Sequence, residues 1–183
     1  GPYNGPLSAT FAEAGILQAY VFPGPWSWMN RGAVRMINAL VDALREKYGF
    51  TEFAGDNVEY HASGCLTFPI LGTTAKNEDK LKFDPDRKKR RAIYDEVCAA
   101  FPDYNVVVGG SSSFDMAPKP FNKYYALDLW CKENGFEHGE VAFVGDDYGE
   151  GGNDESVYLS DFICVVYTLI YRKLTVIQIR KDM

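Results

Sequence analysis

Val141-Ala-Phe-Val-Gly-Asp-Asp-Tyr-Gly-Glu-Gly-Gly-Asn-Asp-Glu155 is the stretch on which the reading of this chain turns. Its apolar start, over Glu140–Val144, predicts a strand that delivers Gly145-Asp146 to its carboxyl end, where open α/β sheets place their ligands. Asp146, Asp147, Glu150, Asp154 and Glu155 then fall within ten residues, interleaved with Gly149, Gly151 and Gly152. Such a density of like charge is costly unless solvent or a cation offsets it. Magnesium suits such a loop, because it takes hard oxygen ligands and keeps waters and a substrate phosphate in its shell. An exposed acidic turn and a calcium loop are the alternatives. An EF-hand is excluded, since the DxDxDG ligand spacing and the flanking helix pair are absent.

Around this loop the pattern runs helix (Asn122–Asn134), strand, acidic loop, short helix and strand (Phe162–Val166), an alternation that predicts a parallel α/β layer. Upstream the rhythm differs. Val34, Ile37, Val41, Leu44 and Tyr48 recur at steps of three and four, one apolar stripe of a helix that Gly49 ends. Two strand-like runs follow, Asn57–His61 and Cys65–Ile70, around the turn residues Ser63-Gly64. Asp84-Pro85 offers an N-cap and a first-turn proline for a second helix with Ile93, Val97 and Phe101 on its buried side. The run Arg87-Lys88-Lys89-Arg90-Arg91 is expected to form a solvated helix face. Strands Asn105–Val108 and Ser112–Met116 flank Gly109-Gly110. Residues 30 to 115 therefore read as α+β, helices covering one face of an antiparallel sheet, and the chain as two lobes. Before them, Ala9–Phe22 reads as two short extended pieces around Gly15 and Trp26–Asn30 as a loop. The tail, Phe162 to Ile179, is rich in β-branched residues and completes a sheet or forms an interface.

Composition narrows the function. With 46% hydrophobic and 15% aromatic residues among 183, the chain can bury a core. Its formal charge of −6 argues against a nucleic-acid surface, while a small anionic substrate is compatible with it if a cation reverses the local field. No basic n-region or apolar leader is seen at the start, and the longest apolar stretch, Phe162 to Tyr171, is too short to span a bilayer. A soluble, cytoplasmic protein without nucleic-acid or membrane partners is expected, a homodimer being open. Cys65, Cys98, Cys131 and Cys164 are spaced by 33, but their surroundings share nothing and no CxxC occurs, so free thiols are expected rather than a repeat or a zinc site.

A second informative stretch is Gly109-Gly110-Ser-Ser-Ser113-Phe-Asp115-Met-Ala-Pro118-Lys-Pro-Phe-Asn-Lys123. Paired glycines let backbone approach a ligand closely, Ser113 and Asp115 share one strand face, and Lys123 opens a helix. Asp115 can accept hydrogen bonds from sugar hydroxyls, and Lys123 can supply positive charge to a transferring phosphoryl group.

Together, GGSSSFDMAPKPFNKYYAL and GDDYGEGGND resemble the signature and metal loop of the magnesium-dependent phosphosugar enzymes of the haloacid dehalogenase (HAD) superfamily, closest to eukaryotic-type phosphomannomutase. Ala12-Glu-Ala-Gly15 is similar to that family's segment just before its cap, and EYHASGCLTFPILG to its substrate-binding hairpin. The resemblance implies an α/β fold: a HAD-like Rossmann-type core, incomplete at its N-terminal side, with an inserted α+β cap domain. Residues 1–29 are then a core segment, 30–118 the cap and 119–183 the C-terminal part of the core. It implies Lys123 as the phosphate-binding lysine, Asp146 as the Mg2+ ligand with Asp147 and Asp154 in the metal loop, and Gly110, Ser113, Asp115 and His61 as substrate contacts.

Two features depart from the family. Its nucleophile lies in a DxDGT loop, and no such motif occurs here; Asp84-Pro85-Asp86 lacks the Gly-Thr and reads as a helix cap. A segment bearing the motif is expected to precede this one. The family's cap arginines are replaced by His61 and by Thr73 or Thr74, none of which offers a guanidinium fork. A mutase must hold phosphate at either end of its sugar, so a Mg2+-dependent phosphatase acting on a sugar phosphate is the first expectation. A phosphomannomutase-like phosphosugar mutase is the second, and a non-catalytic binding relative or a fragment the third.

Overall fold

A computed structural model describes residues 31–170 and 173–180. Ala9–Phe22, Ala12–Gly15 and Trp26–Asn30, read above as extended pieces, a pre-cap segment and a loop, lie outside the described residues.

The first half of the described chain is built on one antiparallel sheet. Helix α1 (Arg31–Tyr48) turns its stripe of Ile37, Val41 and Leu44 inward and ends at Gly49, as the spacing predicts. Strands β1 (Glu59–Tyr60) and β2 (Leu66–Pro69) form a hairpin, and helices α2 (Asn77–Phe83), α3 (Lys88–Arg91) and α4 (Tyr94–Ala100) lead to β3 (Tyr104–Val107) and β4 (Ser113–Pro118). The strand order is β1-β2-β4-β3, antiparallel throughout. Along β4 burial alternates strictly: Phe114, Met116 and Pro118 are buried, while Ser113, Asp115 and Ala117 face the other way. The buried face meets Leu66, Phe68 and Val106 and the stripes of α1 and α4 in one core. Phe68 and Phe114 are register partners whose rings stack 5.9 Å apart, and burial of each such ring contributes about 2–3 kcal/mol. The opposite sheet face is left for the site.

Two elements differ from expectation. Helix α2 buries none of its residues, so it has no apolar period to read. The single helix expected behind Asp84-Pro85 is two, because Ile93 leaves helical geometry (φ −116°, ψ 4°) between α3 and α4. Asp84 is not the N-cap expected, for it ends α2 and Arg87 takes the N-cap position of α3, but its carboxylate reaches forward to accept the Lys89 amide at 2.9 Å and the Arg90 amide at 3.1 Å.

The second half contains α5 (Lys123–Asn134), a 3-10 turn (His138–Glu140), β5 (Ala142–Gly145), α6 (Glu155–Tyr158), β6 (Ile163–Ile170) and β7 (Lys173–Arg180). The expected parallel pair is β5 with β6; β7 returns antiparallel on β6. Only two residues separate β6 from β7, too few for the crossover that a parallel pair needs. The tail thus completes a sheet, and the architecture is mixed α/β. A small core of Cys131, Val157, Phe162 and Cys164 lies between sheet and helices. His138 closes it: its ring stacks on Phe162 at 3.9 Å, with Nδ1 2.5 Å from Asp161 Oδ1 and Nε2 3.1 Å from Asp128 Oδ1. None of the four cysteines is joined in a disulfide. Among the described residues no helix is long and apolar enough to cross a membrane.

Candidate functional site

The acidic loop is organised around one buried carboxylate. Asp154 is only 2% exposed, and both of its oxygens are engaged. Oδ2 accepts the amides of Asp146 at 3.0 Å and Asp147 at 3.1 Å, and Oδ1 meets the Lys123 ammonium at 2.5 Å. Lys123 is delivered there by local sequence: the Asn122 side chain caps α5 by accepting the Tyr125 amide at 2.8 Å, which makes Lys123 the first helical residue. Charge-assisted hydrogen bonds of this kind are about twice as strong as neutral ones. The start of α5 and the end of β5 are thereby joined, and Lys123 keeps 40% of its side chain exposed.

The three carboxylates named as metal ligands have three different fates. Asp154 is the loop's internal anchor. Asp147 is held by guanidinium groups from the other half of the protein, Arg87 on Oδ2 and Arg91 at 3.4 Å on Oδ1, and also accepts the Asn153 amide at 3.2 Å. Asp146, at the carboxyl end of β5, is exposed, and among the described residues its carboxylate has no hydrogen bond or ion pair. No group of three or more His, Cys, Asp or Glu is placed to hold a metal among the described residues. The donor set present fits one direct protein ligand, Asp146, for a magnesium ion that keeps waters and phosphate oxygens in its remaining positions.

A cleft of about 850 Å³ separates the open face of the antiparallel sheet from this loop. On the sheet side, register brings Thr67 opposite Asp115. The Thr67 hydroxyl donates to Asp115 Oδ1 at 2.9 Å, and His61 Nε2 lies 3.0 Å from the same hydroxyl oxygen. Since that hydroxyl's one proton goes to Asp115, His61 Nε2 is the donor in the second contact. On the loop side Asn122 and Asn153, chain neighbours of Lys123 and Asp154, line the cleft. Burial pushes the Tyr104 phenol in its wall up to about 12, so it stays a neutral donor. Burial likewise raises the Cys98 thiol, and a protonated thiol is a poor nucleophile.

Of the residues expected to touch substrate, His61 and Asp115 line the cleft, whereas Gly110 and Ser113 sit at the base of the β3–β4 turn. Their carbonyls, with that of Gly109, accept from Arg90 Nη1 at 2.5–3.3 Å, and Ser113 Oγ donates to Gly109 O at 3.2 Å. Gly109 makes room for a carboxylate rather than for a ligand, because a Cβ there would collide with the Asp115 side chain. Arg90 is buried with Asp84 in an ion pair of 2.9 Å. Burial pushes the Asp84 carboxyl up, but the Arg90 guanidinium and the Lys89 and Arg90 amides outweigh it and hold the group below its ordinary value. The basic run is therefore not a solvated face as a whole: Lys88 and Lys89 are exposed, but Arg87, Arg90 and Arg91 are committed to carboxylates. Thr67 had no local signal. Nor had Arg87, Arg91 and Tyr94, which belong to no common helix: Arg87 precedes α3, Arg91 ends it and Tyr94 opens α4.

A model of the family described as eukaryotic phosphomannomutase matches residues 53–181. The phosphomannomutase of Saccharomyces cerevisiae is 27% identical over 139 residues, covering 72% of this chain and 50% of that protein. That of Schizosaccharomyces pombe is 32% identical over 110 residues (57% and 41%), and that of Encephalitozoon cuniculi 30% identical over 153 residues (72% and 58%). The chain spans about half the length of the curated relatives it matches.

Proposed function

The chain belongs to the eukaryotic phosphomannomutase family, and from that premise we propose that it binds a phosphorylated sugar between its two lobes and serves phosphosugar mutase chemistry. The antiparallel lobe acts as the cap and the β5–β7 lobe as part of the core. The expectation of a phosphatase yields to that of a mutase because the relatives carry that name. The observation that carries the reading is the Lys123–Asp154 pair at the carboxyl end of β5, beside a cleft whose far wall presents His61, Thr67 and Asp115.

In this reading the Lys123 ammonium offsets charge on the phosphoryl oxygens, and Asp154 holds that ammonium at the end of the strand. Asp115, held in place by the Thr67 hydroxyl, offers its carboxylate as acceptor to a sugar hydroxyl. His61, donating through Nε2, offers Nδ1 as a second acceptor. Magnesium, when bound at Asp146, supplies further charge neutralisation at the phosphoryl group. Lobe closure excludes water, which favours transfer between sugar hydroxyls over hydrolysis.

The test is phosphorus NMR of mannose 1-phosphate with the full chain, Mg2+ and a catalytic amount of a hexose bisphosphate, beside a calorimetric titration. Isomerisation that needs the bisphosphate, with binding lost in Lys123→Ala, supports the mutase. Stoichiometric release of inorganic phosphate overturns it in favour of hydrolysis. Binding without turnover supports the non-catalytic reading.

A further inference from the structure

Three side chains outside the proposed substrate contacts converge on the acidic loop from the antiparallel lobe. Arg87 pairs with Asp147 Oδ2; Arg91 reaches Asp147 Oδ1 at 3.4 Å and donates through Nε to the Glu150 carbonyl at 3.0 Å. The Tyr94 ring lies against Gly151, whose φ is +67° and where an added Cβ would stand 2.9 Å from the ring. A backbone bond from the Val108 amide to the Gly151 carbonyl, 2.7 Å, continues the same seam. The Asp147 side chain is only 11% exposed, so this is a partly desolvated contact, unlike the exposed ion pair Lys88–Asp86.

Arg87 has a second distinction. It is the one non-glycine residue at positive φ among the described residues, with φ 60°. A side chain held in the left-handed region persists only where its surroundings over-determine it, and such residues cluster at functional sites. Here the strained backbone starts α3 and aims the guanidinium across the seam. Asp147 is the chain neighbour of Asp146, and both their amides rest on Asp154, which holds Lys123.

We propose that Arg87 and Arg91 are positioning residues: acting through Asp147, they seat the acidic loop so that Asp146 and Lys123 are presented to the phosphate only when the two lobes are docked. Site assembly is thereby tied to lobe closure, and a lobe that swings away releases the loop. The link to phosphate rests on the mutase reading; the seating of the loop does not.

The experiment uses the full chain with Arg87→Gly, Asp147→Asn and their double variant. Glycine suits the left-handed backbone, so Arg87→Gly removes the guanidinium without straining the fold. Hydrogen exchange by mass spectrometry is expected to rise in peptides covering residues 145–154 and to stay unchanged across β4. Affinity for mannose 1-phosphate is expected to fall about 10- to 100-fold, the range for groups that orient a ligating residue. The double variant should lose no more than Asp147→Asn alone, since Arg87 acts through Asp147 and that substitution already removes its partner, and Arg87→Lys should recover part of the affinity. Unchanged exchange in the loop, or additive losses in the double variant, overturns the inference. A wild-type chain that binds no phosphosugar sinks the mutase reading instead, and the exchange data still decide this one.

Discussion

Asp146 and Asp154 are the same residue type at opposite ends of one loop, and substituting each by asparagine should give opposite kinds of damage. Asp154 accepts three hydrogen bonds, two from amides and one from an ammonium, at 2% exposure. Asparagine keeps one acceptor oxygen. If it faces the two amides, its amino group confronts Lys123; if it faces Lys123, two amides lose their acceptor. Breaking a buried charge pair costs about 3–5 kcal/mol. Because Lys123 is 40% exposed and rehydrates when released, Asp154→Asn should sit near the lower end, about 3 kcal/mol, or roughly 6–12 °C in Tm for a chain of this size. Asp146→Asn should change stability by less than about 0.5 kcal/mol, as exposed substitutions do, while abolishing any magnesium-dependent gain in phosphosugar affinity. Urea denaturation followed by circular dichroism, with titrations plus and minus Mg2+, reads both quantities. Equal stability losses in the two variants, or a loss below about 1 kcal/mol for Asp154→Asn, would refute the assignment of anchor and ligand.

Arg90→Met should be among the most damaging single changes, about 3–5 kcal/mol by chemical denaturation, because it strands the Asp84 charge and three turn carbonyls. The Asp84 carboxyl is held below its ordinary value, so its contribution is fully present above about pH 4 and lost as pH falls through the folded value; melts of wild type and Asp84→Asn should converge in acid. The Asp161 hydrogen bond, against burial and with help from Asp128, raises the His138 imidazole above 6.5. Its contribution is therefore fully present below about pH 6.5 and lost as pH rises through the folded value, so the Tm gap between wild type and His138→Gln should narrow in alkaline buffer. Thr67→Val, which removes the hydroxyl between His61 and Asp115, should weaken phosphosugar binding about tenfold in calorimetry with a Tm change of a few degrees at most.

Much of this organisation was legible along the chain. The three- and four-residue steps of α1, the alternation in Ser113–Pro118 and the apolar run before Gly145 each report a period, and periods survive because side-chain direction is local. The helix opening at Lys123 and the strand end at Gly145 likewise placed Lys123 and Asp146, although the capping role of Asn122 emerged only from the structure. What failed to read had no local signature. Helix α2 buries nothing, and the Arg87–Arg91 run looks like any solvated basic face until the carboxylates facing it are known.

Sequence by itself determined the periodic elements, the family and the residue types at the phosphate end, since those depend on neighbours a few positions away. Only the tertiary structure decided which of the acidic residues are anchors and which are free. Asp147 is taken by Arg87, 60 residues distant, Asp154 by Lys123, 31 distant, and Asp146 by neither. It also decided the Thr67–Asp115 partnership across 48 residues, which depends on strand register. A slip of one residue would turn every side chain to the opposite face, so that pairing is set by the packing of the whole sheet, Phe68 on Phe114 included, and by no stretch of the chain alone.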